Sequence, residues 1–394
     1  MNLLRQIRAV TWMNLASIPQ RFGTSSVIIV GIAGVVAVLI SVLAMATGFT
    51  HTIVATGRDD RAIVLRGGSN SELASTLSRE STLTVIDAPG IRRDAAGKPV
   101  ASAEAVVVVD MPKKSNDSGA NVTIRGIGAQ GMALRPEIHL IAGRMFQRGL
   151  RELIVGSGAQ SQFKGIDVGS HIALRGSDWM IVGAFASNGD SHESELLADG
   201  ETVLSAYRRN LYQSVVVQLE SKDAFATFKN SLTTNPQLSV DVLRERDYYA
   251  HQSQRMSAIL SFVAYVVGGI MAVGALFGAL NTMYSAVSGR AREIATLRAI
   301  GFGASAVVVS VLIEAMLLSV IGALIGAGLA WIFFNGNVVS TLGSNFTQVV
   351  FRLAVSPALV VLGIAWACAI GLVGGLFPAI RAARLPVAVA LRAL

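Results

Sequence analysis

Two short segments carry side chains of types that could do chemistry. In "SHESE", Ser191–Glu195, an imidazole and two carboxylates, His192, Glu193 and Glu195, lie close together, and zinc accepts such ligands. The segment "GSGAQS", Gly156–Ser161, resembles the turn that exposes a catalytic serine but departs from G-x-S-x-G. The sequence contains no H-E-x-x-H motif. We therefore favour a polar surface loop over a metal site at Ser191–Glu195, and we expect no catalytic centre in this chain.

A third segment, "SGRAREIATLRAIGFGASAVVVSVLIEAMLLS", places a charged cluster between two apolar runs. The spacing predicts a short amphipathic helix over Gly289–Gly301 that ends at Gly301. Its alternative is an ordinary basic loop between two membrane spans. An Arg290–Glu293 pair is expected on the helix surface. The apolar stripe consists of Ala291, Ile294, Leu297 and Ile300, and the charged residues are Arg290, Arg292, Glu293 and Arg298.

Glu314 lies about ten residues into the second of these runs, where an ionised carboxylate is costly unless it is paired. Candidate partners are Arg381, Arg384 and the amide of Asn281. We favour a structural pairing that fixes this span against its neighbours over a role as a proton carrier. Eight and twelve residues after Glu314, Gly322 and Gly326 form a small-xxx-small face. Packing within the chain is favoured there over a dimer contact.

The composition predicts a membrane protein. Hydrophobic residues make up 52% of the chain and charged residues only 15%, whereas about a quarter of a soluble domain is charged. Four apolar runs reach the ~20 residues that a membrane helix needs. They are Thr24–Ala46, Met256–Val287, Ala304–Phe334 and Leu353–Phe377. The first run is too long for a signal peptide, so we expect an uncleaved anchor despite the Ala44-Met45-Ala46 sequence.

The distribution of arginine predicts the orientation. The long polar segment is nearly neutral, so the net charge of +8 comes from short flanks, which stay cytoplasmic when they are basic. Both termini and the 288–303 loop are then inside, and the charge excess does not indicate nucleic-acid binding. The flanking arginines are Arg5, Arg8 and Arg21, then Arg290, Arg292 and Arg298, then Arg381, Arg384 and Arg392.

These patterns predict an α-helical membrane protein with four transmembrane helices and a large α+β periplasmic domain inserted between helices one and two. Cys368 is the only cysteine, so no disulfide is expected. Within the domain, Ser71–Glu80 is predicted to be a helix capped by Ser71. The predicted segments are an amphipathic helix on the inner membrane face at 1–23, transmembrane helices at 24–49, 255–287, 304–334 and 353–378, the periplasmic domain at 50–254, the cytoplasmic helix at 288–303, a short loop at 335–352 and a tail at 379–394. Inside the domain, β-α-β units at about 58–135 and 206–250 flank a β-rich module at about 136–205.

Two motifs carry a resemblance to a known family. The run from Arg290, R-x-R-E-I-x-T-L-R-A-I-G, leads into a span that bears E-A at Glu314 and then spaced glycines. The end of the chain, "GGLFPAIRAARLPVAVALRAL", has the pattern P-A-x-x-A-x-x-x-P-x-x-A-L-R. Both are similar to the FtsX/MacB-type permeases of ABC transporters, and the order of span, domain and three spans is that of the family across almost the whole chain.

The resemblance implies mechanotransmission, in which ATP closes two copies of a separate nucleotide-binding subunit and a coupling helix passes the movement on. No G-x-x-x-x-G-K-[ST] motif occurs in the sequence, so ATP and Mg²⁺ are expected on the partner and no cofactor on this chain. The resemblance further implies a bacterial inner-membrane location, contact with membrane lipids, a permease homodimer or a pair with a paralogue, and a periplasmic adaptor with an outer-membrane channel. The residues that it assigns to the coupling contact are Arg290, Arg292, Glu293, Ile294, Leu297, Arg298 and Gly301.

Three functions remain open from the sequence. The first is a permease that exports or extrudes a substrate from the periplasm or the outer leaflet of the inner membrane. The second is a transmembrane regulator of a periplasmic partner, such as a cell-wall hydrolase, or a lipoprotein-release permease. The third is a membrane-anchored enzyme, which the lack of a catalytic motif disfavours.

Overall fold

The computed structural model describes residues 3–17, 19–343 and 346–384. The chain divides into two compact units. The helical unit holds the chain up to Thr47, Ile259–Asn337 and the chain from Leu353; the α/β domain holds Gly48–Ala258 and Val338–Arg352. Most of the closing motif that contains Arg392 lies outside the described residues.

Ten α-helices occur among the described residues, and four of them are long and apolar enough to cross a membrane, as the sequence predicts. These four are α2, α7, α9 and α10. The helices are α1 (Leu3–Ala16), α2 (Phe22–Thr56), α3 (Arg79–Ile86), α4 (Ser157–Gln162), α5 (Gly200–Ala206), α6 (Ala224–Thr233), α7 (Glu245–Gly289), α8 (Ala291–Ala299), α9 (Ala304–Phe334) and α10 (Pro357–Ala383).

Close contacts between small residues hold α9 in the helical unit. A Cβ on Gly322 would stand 2.8 Å from the Ile29 carbonyl oxygen of α2, and one on Gly326 would overlap the backbone of Ala33. On the other side of α9, a Cβ on Gly375 of α10 would stand 2.7 Å from the Ala315 methyl group. Such approaches require glycine, because a larger residue would push the helices apart. Gly322 and Gly326 therefore pack within the chain.

The α/β domain is built on one mixed sheet of ten strands in the order β10-β1-β9-β2-β3-β8-β5-β7-β4, with β6 beside β7. The β3–β8 and β5–β7 pairs are parallel and the other pairs are antiparallel. The strands are β1 (Arg61–Arg66), β2 (Ala101–Pro112), β3 (Gly119–Ile127), β4 (His139–Gly143), β5 (Glu152–Gly156), β6 (His171–Leu174), β7 (Ser177–Ala186), β8 (Glu195–Asp199), β9 (Ser214–Gln218) and β10 (Val240–Arg244).

Three apolar cores support this sheet, and the smallest contains Ile138, Ile154, Val182, Phe185 and Leu197. One core joins β1, β9 and β10 to α3 and α6 through residues such as Val85, Phe228 and Leu232. The largest core lies along β2, β3, β5, β7 and β8, where Trp179 and Phe163 are fully buried. The near-continuous burial of β5 and β8 is the pattern of strands covered on both faces.

The helix predicted over Ser71–Glu80 is wrong. Glu72–Ala74 is only a short 3₁₀ turn, and Ser71 makes no side-chain cap. The helix α3 begins at Arg79 instead, where the Ser78 hydroxyl accepts a hydrogen bond from the Ser81 N–H. The prediction failed because Glu72 is drawn into a buried ion pair with Arg125, a long-range contact that helix propensity does not register.

The short loop predicted at 335–352 is also wrong, because most of it is a β-hairpin of β11 (Val338–Leu342) and β12 (Gln348–Arg352). This hairpin packs on the α/β domain. The Val350 N–H donates to the Ser194 hydroxyl at 2.9 Å, and the Phe351 ring meets the Phe49 ring edge-on at 5.6 Å between centroids.

Candidate functional site

The helix α8 is set off from its neighbours by two breaks in the backbone. Arg290 leaves helical geometry (φ −111°, ψ 12°) between α7 and α8. After α8, Gly301 takes a φ of +102°, a left-handed conformation that favours glycine at a helix end. The predicted amphipathic helix and its stop at Gly301 therefore both occur in the structure.

The apolar stripe predicted on α8 faces two ways. Ile294 is 5% exposed and packs in the core of the helical unit with Val287, Val307 and Val311. Ile300, at the end of the same stripe, is 72% exposed, and Leu297 is half-buried. Ile294 thus belongs to the interior of this chain, which leaves it unable to seat in a partner's groove.

Arg290 joins the predicted coupling segment to α9. Its Nη1 lies 3.2 Å from Glu314 Oε2, and its Nε lies 3.3 Å from Glu293 Oε2. The Glu293 pair is the one that the helical spacing predicts. Because the Arg290 side chain is nearly buried by these contacts, it is not positioned to lie on an outward face of α8.

The partners predicted for Glu314 are therefore wrong. The guanidinium of Arg381 stacks over the ring of Tyr284 at 5.4 Å, and Asn281 is exposed. Residue spacing along the chain does not show that the turn after α7 folds back onto α9, and this fold brings Arg290 to the carboxylate.

Arg298 has an internal role as well. Its Nη1 donates a 2.7 Å hydrogen bond to the carbonyl oxygen of Ala383, in the last turn of α10. Helix ends leave such carbonyls without an intrahelical donor, and a cation there also meets the negative end of the helix dipole. Arg290 and Arg298 thus tie the two ends of α8 to α9 and α10.

The outward face of α8 carries the remaining predicted residues and some that the sequence analysis did not single out. Arg292, Glu293 and Gly301 are exposed as expected, and Thr296 and Ala299 join them. A cleft of about 590 Å³ runs beside this face. It is lined by Val10, Met13, Asn14 and Ser17 at the end of α1, by Arg290, Arg292, Glu293, Ile294, Thr296, Leu297 and Ile300 in and next to α8, and by Val307 and Val311 of α9.

α1 reaches this cleft because it packs on α9. The Asn14 Nδ2 donates to the Ser310 hydroxyl at 2.7 Å, and the Gln6 side-chain oxygen accepts the Gly303 N–H at 3.0 Å. The sequence predicts only an amphipathic helix on the membrane face. Its polar residues Gln6 and Asn14 are the signal that could have indicated a helix-packing role.

The α/β domain contains a second feature, a buried cluster of ion pairs. Arg125 contacts the carboxylates of Glu72, Glu104 and Glu195 at 2.7–2.9 Å, and Arg135 contacts Glu104 at 2.7 Å. Burial alone would raise the pKa of Glu104 and of Glu195, but the neighbouring arginines hold both below their ordinary values. Single charges inside apolar strands, such as Glu104 in "SAEAVVVV", are the sequence signal for this cluster.

The Ser191–Glu195 segment is part of this cluster, so the surface-loop interpretation is wrong. His192 is fully buried; its Nδ1 lies 3.0 Å from Glu195 Oε2 and its Nε2 accepts from Arg135 Nε at 3.3 Å. Glu193 accepts the N–H groups of Ser187 and Gly189. Within the described ranges, no three His, Cys, Asp or Glu side chains are arranged to hold a metal ion.

The cluster extends to the domain ends of α2 and α7. Glu245, the first residue of α7, accepts the Arg58 N–H at 3.1 Å and lies 2.7 Å from Arg61 Nε. At the end of α2, the Thr56 hydroxyl accepts the Ser191 N–H at 3.0 Å. Both helices therefore end on buried polar contacts of the domain rather than in mobile linkers.

Comparison with known families agrees with both units. The FtsX-like permease C-terminal family matches residues 265–387. The MacB-like periplasmic core domain family matches residues 22–235, which is more than half of the chain. The chain belongs to the FtsX/MacB-type ABC transporter permeases. It is accordingly a multi-pass membrane protein of a transporter permease family.

Individual relatives of this permease match over part of its length. The macrolide export ATP-binding/permease protein MacB of Campylobacter jejuni is 31% identical over 160 residues, 40% of this chain and 20% of that protein. MacB 1/2 of Paracoccus denitrificans is 37% identical over 128 residues, 32% of this chain and 17% of that protein. The matched part of the permease thus spans about a fifth of the length of these curated relatives.

Two solved structures resemble the α/β domain of the permease. The extracellular domain of the transporter YknZ from Gram-positive bacteria aligns with a TM-score of 0.35 at 18% identity, covering 46% of this chain and 99% of that one. The periplasmic region of MacB from Actinobacillus actinomycetemcomitans aligns with a TM-score of 0.37 at 12% identity, covering 48% and 90%.

Proposed function

We propose that this permease couples ATP hydrolysis by a separate nucleotide-binding subunit to movement of its α/β domain, and that this movement exports or extrudes a substrate. The observation that carries the proposal is the attachment of α8 at both ends, by Arg290 to Glu314 and by Arg298 to Ala383. A displacement of α8 is passed to α9 and α10 through these two contacts, because each one fixes an arginine side chain of the α8 segment to a group on the neighbouring helix.

The ATPase would dock on the outward face of α8. Arg292, Glu293 and Thr296 are exposed there, and the adjacent cleft offers an apolar floor from both α1 and α8. A surface with an apolar centre and a charged rim has the composition of a protein–protein interface. The docking site would then be formed jointly by α8 and α1.

The movement would leave the helical unit along α2 and α7. α7 is one unbroken helix of 45 residues, roughly 68 Å at 1.5 Å per residue, which is longer than a membrane is thick. Its first residue, Glu245, is held by Arg61 inside the α/β domain. A continuous helix with a pinned end supports transmission of a push or a rotation over that distance.

We place the permease in a bacterial inner membrane, with both termini and α8 in the cytoplasm and the α/β domain in the periplasm between helices α2 and α7. The arginines at the start of the chain, around α8 and at the end of α10 support this orientation by the positive-inside rule. Two ATPases require two permease copies, and a row of exposed apolar residues on α7, including Phe262, Ile270 and Phe277, supports a homodimer.

The docking surface is tested by co-expressing the full-length permease with the nucleotide-binding subunit proposed for it and purifying the complex. Arg292→Glu should release the ATPase or weaken its binding at least tenfold, while Arg148→Glu, an exposed arginine of the α/β domain, should leave the complex intact. Retention of the complex by Arg292→Glu at normal expression would count against α8 as the docking helix.

A further inference from the structure

A second cleft of the helical unit lies between α1 and α9, and none of the described residues lines both this cleft and the one beside α8. Its volume is about 680 Å³, and α9 contributes one lining residue, Ile313. Ile313 is 37% exposed and belongs to a helix that is long and apolar enough to cross a membrane. The cleft therefore opens on the side of α9 where acyl chains surround a membrane helix.

The helix α1 runs beside the start of α9 in the same direction. The Gln6 side chain accepts the N–H of Gly303, just before α9, and Asn14 donates to Ser310, two turns further along. Eight residues of α1 and seven of α9 each rise roughly 10–12 Å, so the helices stay side by side over that length. Ile313 lies one turn beyond Ser310. The end of α1 is therefore nearest to the middle of α9, and its first turn is furthest from it.

The lining of this cleft changes from apolar to basic along α1. Leu15 is the lining residue nearest to the middle of α9, Trp12 is one turn before it, and Arg8 and Arg5 follow at further one-turn intervals. Residues three or four apart lie on one face of a helix. Trp12 is 75% exposed, and tryptophan is enriched where a membrane meets water. The order of apolar side chain, tryptophan and arginine matches the order of acyl chain, glycerol and phosphate in a phospholipid.

The polar groups of this cleft suit an anion. Arg5 and Arg8 are exposed, and neither contacts a carboxylate within the part of the chain that the structure describes. None of the residues that line the cleft is acidic. The Thr11 hydroxyl lines the same cleft and has no hydrogen-bond partner among the described residues. Two guanidinium groups and a hydroxyl donor are together a set of ligands for a phosphate group.

The position beside α9 favours a lipid over a soluble protein as the occupant. Exposed apolar residues, among them Leu4 and Trp12, alternate with the two arginines around this face of α1. A helix face of this composition binds a membrane by burying apolar area and by attracting anionic lipids. The surface proposed for the ATPase uses other residues of α1, including Met13 and Ser17.

We propose that this cleft binds one anionic phospholipid. Arg5 and Arg8 hold its phosphate, the Thr11 hydroxyl donates a hydrogen bond to it, and an acyl chain runs past Trp12 towards Ile313. A zwitterionic headgroup would bring a second positive charge to the arginines, so a headgroup with net negative charge is preferred. This interaction is separate from the ATPase contact on α8 and does not depend on it.

Native mass spectrometry of the full-length permease in detergent tests the proposal. The permease is mixed with equal amounts of phosphatidylglycerol and phosphatidylcholine that carry the same acyl chains, and the bound lipids are counted. The wild-type permease should retain phosphatidylglycerol about twentyfold over phosphatidylcholine, and Arg5→Gln and Arg8→Gln should each lower this preference about fivefold. Arg384→Gln removes an exposed arginine at the end of α10, outside the cleft, and should lower the preference less than about twofold. All three variants should keep the wild-type melting temperature, because the changed side chains are exposed.

Two further measurements distinguish a lipid from other anions and from a protein. Trp12→Ala should weaken retention of both lipids without changing the preference between them. Excess inorganic phosphate should displace no more phosphatidylglycerol than chloride at the same ionic strength. The proposal is overturned if the wild-type permease shows no preference, if Arg384→Gln lowers the preference as much as Arg8→Gln, or if phosphate alone displaces the lipid. It is also overturned if the double variant Arg5→Gln/Arg8→Gln keeps the lipid but loses the nucleotide-binding subunit.

Discussion

Arg290 lies between two carboxylates, with Glu314 of α9 on its Nη1 and Glu293 of α8 on its Nε. The first contact is nearly closed to solvent, whereas Glu293 is largely exposed. Exposed ion pairs contribute little, so Glu314 is the partner that fixes the turn between α7 and α9.

Glu314→Gln should destabilise the permease and weaken the coupling of ATP hydrolysis to transport. Removing one partner of a buried pair leaves the other charge uncompensated and costs about 3–5 kcal/mol. The loss is measured by thermal unfolding in detergent and by transport per ATP hydrolysed. The double variant Arg290→Gln/Glu314→Gln should recover much of the stability, because no buried charge remains. If the loss of stability in the double variant exceeds the sum of the losses in the two single variants, Arg290 and Glu314 do not form a stabilising pair.

Ile294→Asp should unfold the helical unit rather than only detach the ATPase. Ile294 packs against Val287, Val307 and Val311, and a charged residue in that core adds a desolvation cost to the ~2–5 kcal/mol of lost packing. Its melting temperature should fall well below that of Arg292→Glu, which changes an exposed residue. A stable Ile294→Asp permease that has merely lost its ATPase would show that the residue faces the partner instead.

The stability of the α/β domain should pass through a maximum in mildly acidic solution. Burial raises the pKa of Asp190 to about 6, so the folded domain takes up this proton before the unfolded chain does. Stability therefore rises as the pH falls from 7 through 6, by no more than about 2–3 kcal/mol.

Below the ordinary pKa of a carboxyl group the dependence of stability on pH reverses, and stability falls as the pH falls. Arginines hold the pKa of Glu104, Glu137 and Glu195 below the ordinary value against the effect of burial, so the unfolded chain takes up those protons first. Chemical denaturation at a series of pH values measures both limbs. Asp190→Asn should remove most of the rise in stability between pH 7 and 5 and leave the fall in stability at lower pH unchanged. If the variant keeps the full rise, that rise belongs to another group.

Phe351→Ala should release the β11–β12 hairpin from the α/β domain. The ring is 2% exposed and meets Phe49 edge-on, and removing a buried phenylalanine costs about 3–5 kcal/mol. Hydrogen exchange over 338–352 should accelerate while the sheet stays protected. Phe346→Ala, in the loop of the same hairpin and 72% exposed, is the matched control. Equal acceleration in both variants would show that the hairpin is not held by Phe351.

The sequence was informative where one segment decides the outcome by itself. The four apolar helices follow from run length, and the end of α8 follows from Gly301, whose positive φ only glycine adopts readily. The sequence was uninformative where two distant segments decide together. Glu72 and Arg125 are 53 positions apart, and their pairing overrides the local helix signal at Ser71. The β11–β12 hairpin and the Arg290–Glu314 pair depend in the same way on partners that no local pattern specifies.

The contacts of Gly322 and Gly326 with Ile29 and Ala33 also show which residues of α9 and α2 lie at the same height. Because α2 and α9 run side by side in the same direction, counting back eight residues from the Gly322–Ile29 contact brings Glu314 level with Arg21, just before α2 begins. From Glu314 to Phe334, α9 then rises roughly 30 Å at 1.5 Å per residue, the thickness of a bilayer's hydrocarbon core. Glu314 thus marks a level on α9 that lies one hydrocarbon thickness from Phe334, beside Arg290.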